Sequence, residues 1–396
     1  MEINTKKAER IQNIKDATNF IEPNKVPTAI YALTWAFAYG GTTYKAVMDD
    51  PVQAAKAFTK FYDDIEFDWT MASRLPIPVG VHEILKSNRF YLAEDDTCIA
   101  HGQGNDNYIS EQDYDLLIKD PDYVKDEILF KKTFKIFNEP KDVAYEAMKK
   151  ALMHFKKFNE MNNLITQRAS EKGLVTLGEN LVAPSYSASF NQLFDVFRGI
   201  KNSLVDMRRI PDKVEAACDA IFEKIIKNYK TDIEEIKKDI SIAPLPMGRT
   251  IYHSECFLSP KNYDKFYFNN FKKYCEPYMQ AGAKYFVLGE GAFLDKMDRF
   301  RSLPKGSLII MLDQDDPFKA HKVIGDWQTL CTGISQDLLK YGTKQQCIDY
   351  VKKCYDTFAP GGGFIFMHNK LFISKDDVNN DNLLAVYQFA NEYGKK

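Results

Sequence analysis

The sequence predicts an α/β protein of parallel strand–helix units, and two features of its last third support this. Short apolar segments recur there and each ends in polar or ionisable residues: 283–288 before Gly289, 307–312 before Asp313, and 363–367 before His368. Stretches between them, such as 343–358, have apolar residues at helical spacing. A parallel strand pair needs a crossover of a dozen or more residues, so this spacing indicates parallel βα units. When such units close into a barrel, reactive groups lie where the strands end.

The N-terminal part predicts helices and one buried strand. Residues 1–20 have the charged pattern of a helix, which the prolines of 21–27 end. Residues 29–37 are apolar enough for a buried strand, and a helix is expected from Pro51 towards residue 67. Residues 88–126 are polar and rich in turn residues, which predicts an irregular excursion.

Three longer helices are expected in the middle of the chain, over 140–173, 211–237 and 260–278. Each begins with proline, whose missing N–H costs nothing in the first turn. No low-complexity linker divides the sequence. We therefore expect one domain over 1–396, with 1–25 as an N-terminal helical extension.

Composition narrows the class of protein. The net charge is -2 and the pI is near 6.4, so no basic surface recommends a nucleic-acid partner. The N-terminus lacks the apolar core of a signal peptide, and no run approaches the roughly 20 apolar residues that span a bilayer. The seven cysteines include no C-x-x-C pair. We expect a reduced, cytoplasmic, soluble protein with no membrane partner.

The first candidate site is the segment 251–260, which contains His253, Glu255 and Cys256. Three metal-ligand types within four residues, between a strand and a helix start, could place ligands on one loop. Alone the triplet is a weak signal, because such residues are more often a helix cap and a surface pair.

The second candidate is Gly289-Glu290-Gly291 at a strand end. Flanking glycines let the backbone approach a ligand, and the carboxylate could be a metal ligand or general base. The alternative is a helix N-cap region in which Glu290 accepts from backbone N–H groups. Asp313 likewise ends a strand and could orient a ligand or general base, unless this segment simply starts the next helix.

The third candidate is His368, which lies at the exit of the last apolar segment. The triple glycine before that segment has the reverse order of a phosphate loop, so phosphate binding is not expected. Other histidines, among them His101 and His321, show no convergent partner in the sequence.

Several short motifs in order resemble the uroporphyrinogen decarboxylase superfamily, over about 27–394. They are Phe-Arg-Gly at 197–199, Asp-Met-Arg-Arg-Ile-Pro at 206–211, the His253 segment running into Phe-Leu-Ser-Pro, Gly-Glu-Gly at 289–291, Leu-Pro-Lys-Gly at 303–306, Ile-Gly-Asp at 324–326, Tyr-Gly-Thr at 341–343 and Gly-Gly-Gly-Phe-Ile-Phe at 361–366. The resemblance implies a TIM-type (β/α)8 barrel with an elaborated N-terminal part and its site in the C-terminal mouth.

The resemblance implies one of two chemistries. Decarboxylases of the superfamily carry an arginine-rich N-terminal signature that binds substrate carboxylates, and the corresponding residues 28–37 contain no arginine. The 206–211 and 289–291 segments more closely resemble the corrinoid-dependent methyltransferases, including O-demethylases. The chain lacks the Asp-x-His-x-x-Gly segment of a cobalamin carrier, so the corrinoid is expected on a separate protein.

Many members of that branch use zinc, which polarises the leaving oxygen or sulfur as a Lewis acid. The family's His-x-Cys and terminal Cys are absent here, where Leu288-Gly289-Glu290 and Met367-His368-Asn369 stand instead. The surviving hypothesis is a zinc site of nitrogen and oxygen ligands, with His253 and Glu290 as ligands and Glu255, Cys256 or His368 completing the shell.

The expected catalytic residues are Glu290, His253 and Asp313. Arg198, Arg208 and His368 are the candidates for substrate binding, although an arginine beside Asp206 before a helix can equally form a structural ion pair.

We thus expect a methyltransferase that moves a methyl group from a small methoxylated substrate, expected to be aromatic, to a separate corrinoid protein. The rivals are a metal-free decarboxylase-like lyase and a non-catalytic barrel that binds a small molecule. The sequence leaves open the methyl donor, the direction of transfer and whether the chain forms a homodimer.

Overall fold

In a computed structural model that describes residues 2–87, 89–94, 96, 98–102, 104 and 108–396, the chain has a mixed α/β fold. Its strands form a five-stranded parallel sheet, a three-stranded parallel sheet and an antiparallel hairpin. The strands are β1 (Ala29–Ile30), β2 (Trp69–Thr70), β3 (Phe90–Leu92), β4 (Ile99–His101), β5 (Val175–Thr176), β6 (Met247–Tyr252), β7 (Lys284–Gly289), β8 (Leu308–Leu312), β9 (Thr329–Ile334) and β10 (Phe364–His368).

The larger sheet runs β6-β7-β8-β9-β10, so strands that follow each other in the chain are neighbours. Every residue of β8, β9 and β10 is buried, as expected for parallel strands that are covered on both faces. The predicted parallel βα units of the last third are therefore confirmed.

The smaller sheet has the order β1-β2-β5 and is also parallel. Isolated parallel bridges connect it and its flanking segments to both edges of the larger sheet, Thr28 with Phe366 and Leu181 with Met247. Buried residues of both sheets also share one apolar cluster, which includes Trp69 and Met311. The two sheets therefore pack around a common core.

Helices surround the sheets. They are α1 (Glu2–Thr18), α2 (Trp35–Tyr39), α3 (Tyr44–Val47), α4 (Pro51–Phe58), α5 (Phe61–Asp64), α6 (Val79–Ile84), α7 (Tyr114–Lys119), α8 (Pro121–Tyr123), α9 (Phe130–Thr133), α10 (Lys141–Glu171), α11 (Leu177–Asn180), α12 (Ser189–Gln192), α13 (Ile200–Arg209), α14 (Pro211–Ile225), α15 (Ile233–Ile240), α16 (Pro260–Tyr263), α17 (Asn269–Gln280), α18 (Pro317–Ile324), α19 (Gln336–Tyr341), α20 (Lys344–Phe358) and α21 (Asn380–Tyr393). Short π-helical segments extend α8, α12 and α16, over Val124–Leu129, Leu193–Phe197 and Asp264–Phe268.

The predicted helices 1–20, 140–173 and 343–358 are confirmed as α1, α10 and α20. Thr343 caps α20 through a capping box with Gln346, which explains why the start of this helix could be predicted from the sequence. Two predictions were wrong. The helix expected over 211–237 stops at Ile225, and the strand expected over 29–37 covers two residues before α2 begins.

The expected excursion over 88–126 has more structure than predicted. Its start forms the β3–β4 hairpin, and its end forms α7 and α8, while residues 88, 95, 97, 103 and 105–107 lie outside the described part. In the described part of the chain, no helix is long and apolar enough to cross a membrane.

Candidate active site

Three of the predicted residues follow neighbouring strands of the larger sheet. The register pairs Tyr252 of β6 with Gly289 of β7, and Gly289 with Leu312 of β8. His253, Glu290 and Asp313 are the next residues on each strand. Because the strands are parallel and in register, these side chains converge at one edge of the sheet, where ligand sites of open and closed α/β folds are found.

His253 lies between two carboxylates. Its Nδ1 is 3.2 Å from the carboxylate of Asp195, and its Nε2 is 3.8 Å from Oε2 of Glu290. The hydrogen bond to Asp195 raises the pKa of His253 to about 9, burial opposes this, and the charges of Asp195 and Glu290 add to it. The imidazole is therefore a cation at neutral pH.

A buried network fixes the backbone around His253. The Asn191 amide donates to the Ile251 carbonyl at 2.8 Å, and its oxygen accepts from the backbone N–H and hydroxyl of Ser254. The Phe194 ring contacts the imidazole edge-on at 5.6 Å between centroids. Asp195 follows Phe194 in the π-helical segment, an arrangement often found at functional sites.

Glu290 is held at the end of β7 by its own N–H, which donates to the Tyr252 carbonyl at 2.8 Å. Partial burial raises the pKa of Glu290, His253 lowers it, and the nearby Asp195 and Asp313 raise it again. The expected N-cap role for Glu290 is not observed, since the segment after it begins no α-helix.

The two glycines beside Glu290 allow close approach of protein atoms. A Cβ on Gly289 would lie 2.4 Å from the Phe293 ring and 2.7 Å from the Met311 carbonyl oxygen. Gly291 has a φ of +83°, which side-chain-bearing residues rarely adopt. The two glycines are therefore explained by the tight packing of the chain around Glu290. They do not by themselves show that a ligand approaches the backbone here.

Glu255 is fully buried, and neither of its carboxylate oxygens has a hydrogen-bond partner elsewhere in the described part of the chain. Burial raises the pKa of Glu255 to about 8, and the charge of His253 lowers it. At neutral pH this side chain is a protonated acid close to the His253 cation.

Cys256 is a poor metal ligand in this arrangement. Burial raises its pKa to about 11, so the thiol stays protonated, whereas metals bind the thiolate. Its sulfur lies 3.8 Å from the His253 carbonyl oxygen and against Gly291.

Asp313 braces the loop that carries Glu290. Its Oδ2 accepts from the Gly291 N–H at 3.0 Å, and its Oδ1 lies 3.7 Å from the Lys370 ammonium. Glu290, Asp313, Asn369 and Lys370 together line a cavity of about 370 Å³. Asp316 caps the next helix, α18. The expected alternative, that this segment starts a helix, therefore applies to Asp316.

His368 is placed differently from His253. It is fully buried, its Nε2 accepts from the Tyr31 N–H at 3.0 Å, and its Nδ1 donates to the Lys370 carbonyl at 2.5 Å. Burial lowers the pKa of His368 to about 3. Both ring nitrogens are thus occupied by backbone groups, which favours a structural role over substrate or metal binding.

The two arginines expected to bind substrate, Arg198 and Arg208, lie away from His253. Arg198 is buried and binds Asp206 at 2.6 Å and the Ile109 carbonyl at 2.9 Å, which is the structural ion pair. Arg208 lies exposed on α13. Neither is brought to the edge where His253 and Glu290 meet.

Sequence reasoning missed Asp195, His101 and Arg89. The Arg89 guanidinium donates to the Asp195 backbone carbonyl at 2.9 Å, which ties the β3–β4 hairpin to the site. Burial lowers the pKa of His101 on β4, and the charges of Arg89, Asp195 and His253 act on it as well, so it lies near the site. His101 comes near Asp195 and His253 only because the β3–β4 hairpin forms, and the sequence did not predict that hairpin.

Of the residues expected to hold zinc, His253 and Glu290 lie side by side, with Nε2 and Oε2 3.8 Å apart. Nε2 of His253 and Glu290 suit a divalent cation, and Asp195 behind Nδ1 has the position of an outer-shell partner. Among the residues that the structure describes, no three His, Cys, Asp or Glu side chains form a group that could hold a metal ion. The pair could supply two ligands; Glu255 lies close enough to His253 and Glu290 for their charges to shift its pKa, but it forms no three-ligand group with them in the described part of the chain.

A second cavity of about 470 Å³ lies beside this site. Tyr31, Arg74 and Arg249 line it, together with Phe155 and Phe158 of α10. Burial raises the pKa of the Tyr31 phenol, Arg249 lowers it, and Glu290 raises it. Tyr31 therefore lines the second cavity and is close enough to Glu290 for that carboxylate to shift its pKa.

A scan against models of protein families found no match to the chain, and a search of curated proteins found no sequence similar to it.

Proposed function

We propose that the chain is a methyltransferase that moves a methyl group from a small methoxylated substrate to the corrinoid of a separate protein. The observation that carries the proposal is the His253 imidazolium held between Asp195 and Glu290 at the strand ends. Its position matches the site that the resemblance to the uroporphyrinogen decarboxylase superfamily implies, and we propose membership of that superfamily on the same motifs.

We also propose that the two parallel sheets form one closed (β/α)8 barrel. The three strands of the smaller sheet and the five of the larger one supply the eight strands that a barrel needs. The bridges at Thr28–Phe366 and Leu181–Met247, and the shared apolar cluster, support closure. In such a barrel, His253, Glu290 and Asp313 would lie at the carboxyl-end mouth.

Methyl transfer from a methoxyl group requires stabilisation of the oxygen that is left behind. As the methyl–oxygen bond breaks and the methyl group passes to cobalt on the partner, the oxygen gains negative charge and needs a proton. His253 can donate it from Nε2, the nitrogen that faces Glu290, while Asp195 holds Nδ1 and stabilises the cation beforehand. Because Glu255 is protonated at neutral pH, it adds no further negative charge beside His253.

Zinc, if bound, would be held by His253 and Glu290 and would polarise the leaving oxygen as a Lewis acid. In that form His253 would be a ligand and Asp195 would orient it through Nδ1.

A corrinoid partner needs a surface beside the site. Tyr145, Met148, Leu152 and Phe155 are exposed and follow one face of α10 at spacings of three and four residues. Phe155 also lines the second cavity. We propose that this stripe receives the corrinoid protein.

The test combines metal analysis with turnover. The purified chain, without a histidine tag, is analysed for zinc and then incubated with methoxyarenes and Co(I) corrinoid proteins, and methylcobalt is followed by absorbance. Wild type is compared with His253→Gln and Glu290→Gln, and with His321→Gln as a matched control on α18. Methyl transfer lost in the first two variants alone supports the proposal; bound zinc lost with them assigns the metal form.

Decarboxylation is the second candidate, and one observation favours it. Arg74 and Arg249 line the second cavity and could hold a substrate carboxylate, as the missing arginines of 28–37 do in the decarboxylases. The same His253 could protonate the carbon that loses CO2. Release of CO2 without methyl transfer would favour this lyase.

A further inference from the structure

The second cavity combines positive charge with apolar walls. Its cations are Arg249 on β6 and Arg74 after β2, and its walls include Phe155, Phe158 and Leu177. Of the described residues that line it, none is aspartate or glutamate. A cavity of about 470 Å³ is within the size range of pockets for small organic ligands.

Arg249 is the better placed of the two cations. It is half-buried on β6, whereas Arg74 is exposed at the rim. Partial burial strengthens the attraction between a guanidinium and an anion, because water screens the charges less. The planar guanidinium also matches the two oxygens of a carboxylate, which a lysine would not do.

Arg249 lies on β6, and His253 is the first residue after that strand. Side chains alternate along a strand, so Arg249 and Ile251 point to one side, and His253 is four residues beyond Arg249. At about 3.3 Å per residue their Cα atoms are about 13 Å apart. A carboxylate, one aromatic ring and a para substituent, with a contact at each end, suit that separation.

We propose that this cavity is the binding site for an organic anion, and that Arg249, assisted by Arg74, recognises its carboxylate. The apolar walls enclose a ring or similar body, and Tyr31 lines the same cavity as Arg249 and Arg74. Insofar as it names the substrate as a methoxylated carboxylic acid, the inference rests on the proposed function; the anion subsite itself does not.

The test is binding without turnover. Isothermal titration calorimetry compares 4-methoxybenzoate with 4-methoxybenzamide, which has nearly the same shape and no charge. We expect the wild type to bind the acid at least tenfold more tightly than the amide. Arg249→Gln should remove that preference and Arg249→Lys should retain part of it, while Arg209→Gln, a matched change on exposed α13, should leave it intact.

Equal affinity for acid and amide, no binding of either, or an unchanged preference in folded Arg249→Gln would overturn the anion subsite. The acid–amide comparison uses the wild type, so the test stands even if Arg249→Gln does not fold. Selective binding of the acid without methyl transfer would keep the subsite and count against the proposed function. Methyl transfer from the amide as fast as from the acid would support the proposed function and count against the anion subsite.

Discussion

Two histidines, His253 and His368, each lie at the carboxyl end of a parallel strand, yet their surroundings are opposite. His253 is about one-third exposed and faces two carboxylates, so its pKa rises to about 9. His368 is fully buried and bonds only backbone groups, so its pKa falls to about 3. A strand end therefore marks where chemistry can occur, and the partners of the side chain decide whether it does.

If His253 can be replaced without effect, the two histidines do not differ in function. We expect His253→Gln to lower methyl transfer about 10²- to 10⁴-fold, the range for loss of a general acid. The variant should remain folded, with a lower urea midpoint than the wild type at neutral pH because it lacks the stabilising pairing with Asp195. Steady-state rates and urea unfolding measure both quantities, and a rate within threefold of wild type would place the chemistry elsewhere.

His368→Ala should show the converse pattern. It leaves the Tyr31 N–H and the Lys370 carbonyl without their partners in a buried site, at about 1–3 kcal/mol each, so we expect a loss of roughly 3 kcal/mol in the free energy of unfolding. Urea unfolding measures this loss. Activity per folded molecule should fall much less than in His253→Gln; a large loss of activity at unchanged stability would instead make His368 a site residue.

The pKa difference can be measured directly. Histidine-selective NMR should show one ring with a midpoint near 9 that disappears in His253→Gln, and Asp195→Asn should move that midpoint towards the usual value. His368 should remain neutral throughout the range in which the protein is folded. A midpoint for His253 below 6.5 would contradict the Asp195 pairing.

Stability should fall as pH rises. A folded-state pKa of about 9 for His253, above its ordinary 6.5, gives stabilisation that is fully present below pH 6.5 and lost as pH rises to 9. Urea midpoints in wild type should therefore decrease across that window, and the decrease should be smaller in His253→Gln. An equal decrease in both would assign the effect to other groups.

Glu255→Gln should have the smallest effect. Glutamine resembles the protonated acid, so stability near pH 5 should change by less than about 1 kcal/mol. Because the folded-state pKa of Glu255 is about 8, the unfolded state ionises first, and wild type loses stability between about pH 4.5 and 8. The variant should lack that component in urea titrations; an unchanged slope would show that Glu255 ionises normally.

The parallel strands and their polar ends were predictable, because β7, β8 and β10 are uninterrupted apolar runs that stop at Gly289, Asp313 and His368. Glu290, Asp313 and His368 followed from that pattern, whereas His253 was predicted from its spacing to Glu255 and Cys256. The break after Ile225 was less visible, since helical spacing continues through the residues beyond it.

The partners of these residues could not be predicted. Asp195 lies 58 positions before His253 and reaches it through a π-helical turn, and Arg249 looks like an ordinary strand residue in the sequence. The missing arginines in 28–37 argued against the decarboxylase chemistry, but Arg249 and Arg74 from other elements line the second cavity. Contacts made by tertiary structure leave no local pattern.

The most direct test of the account is the rate of methyl transfer to a Co(I) corrinoid protein in wild type and His253→Gln, with the same methoxylated acid and at the same pH. We predict transfer by the wild type and a loss of at least about 100-fold in the variant, with the fold intact. Transfer at the same rate in both would contradict the assignment of His253. CO2 release by the wild type without methylcobalt would contradict the methyltransferase itself.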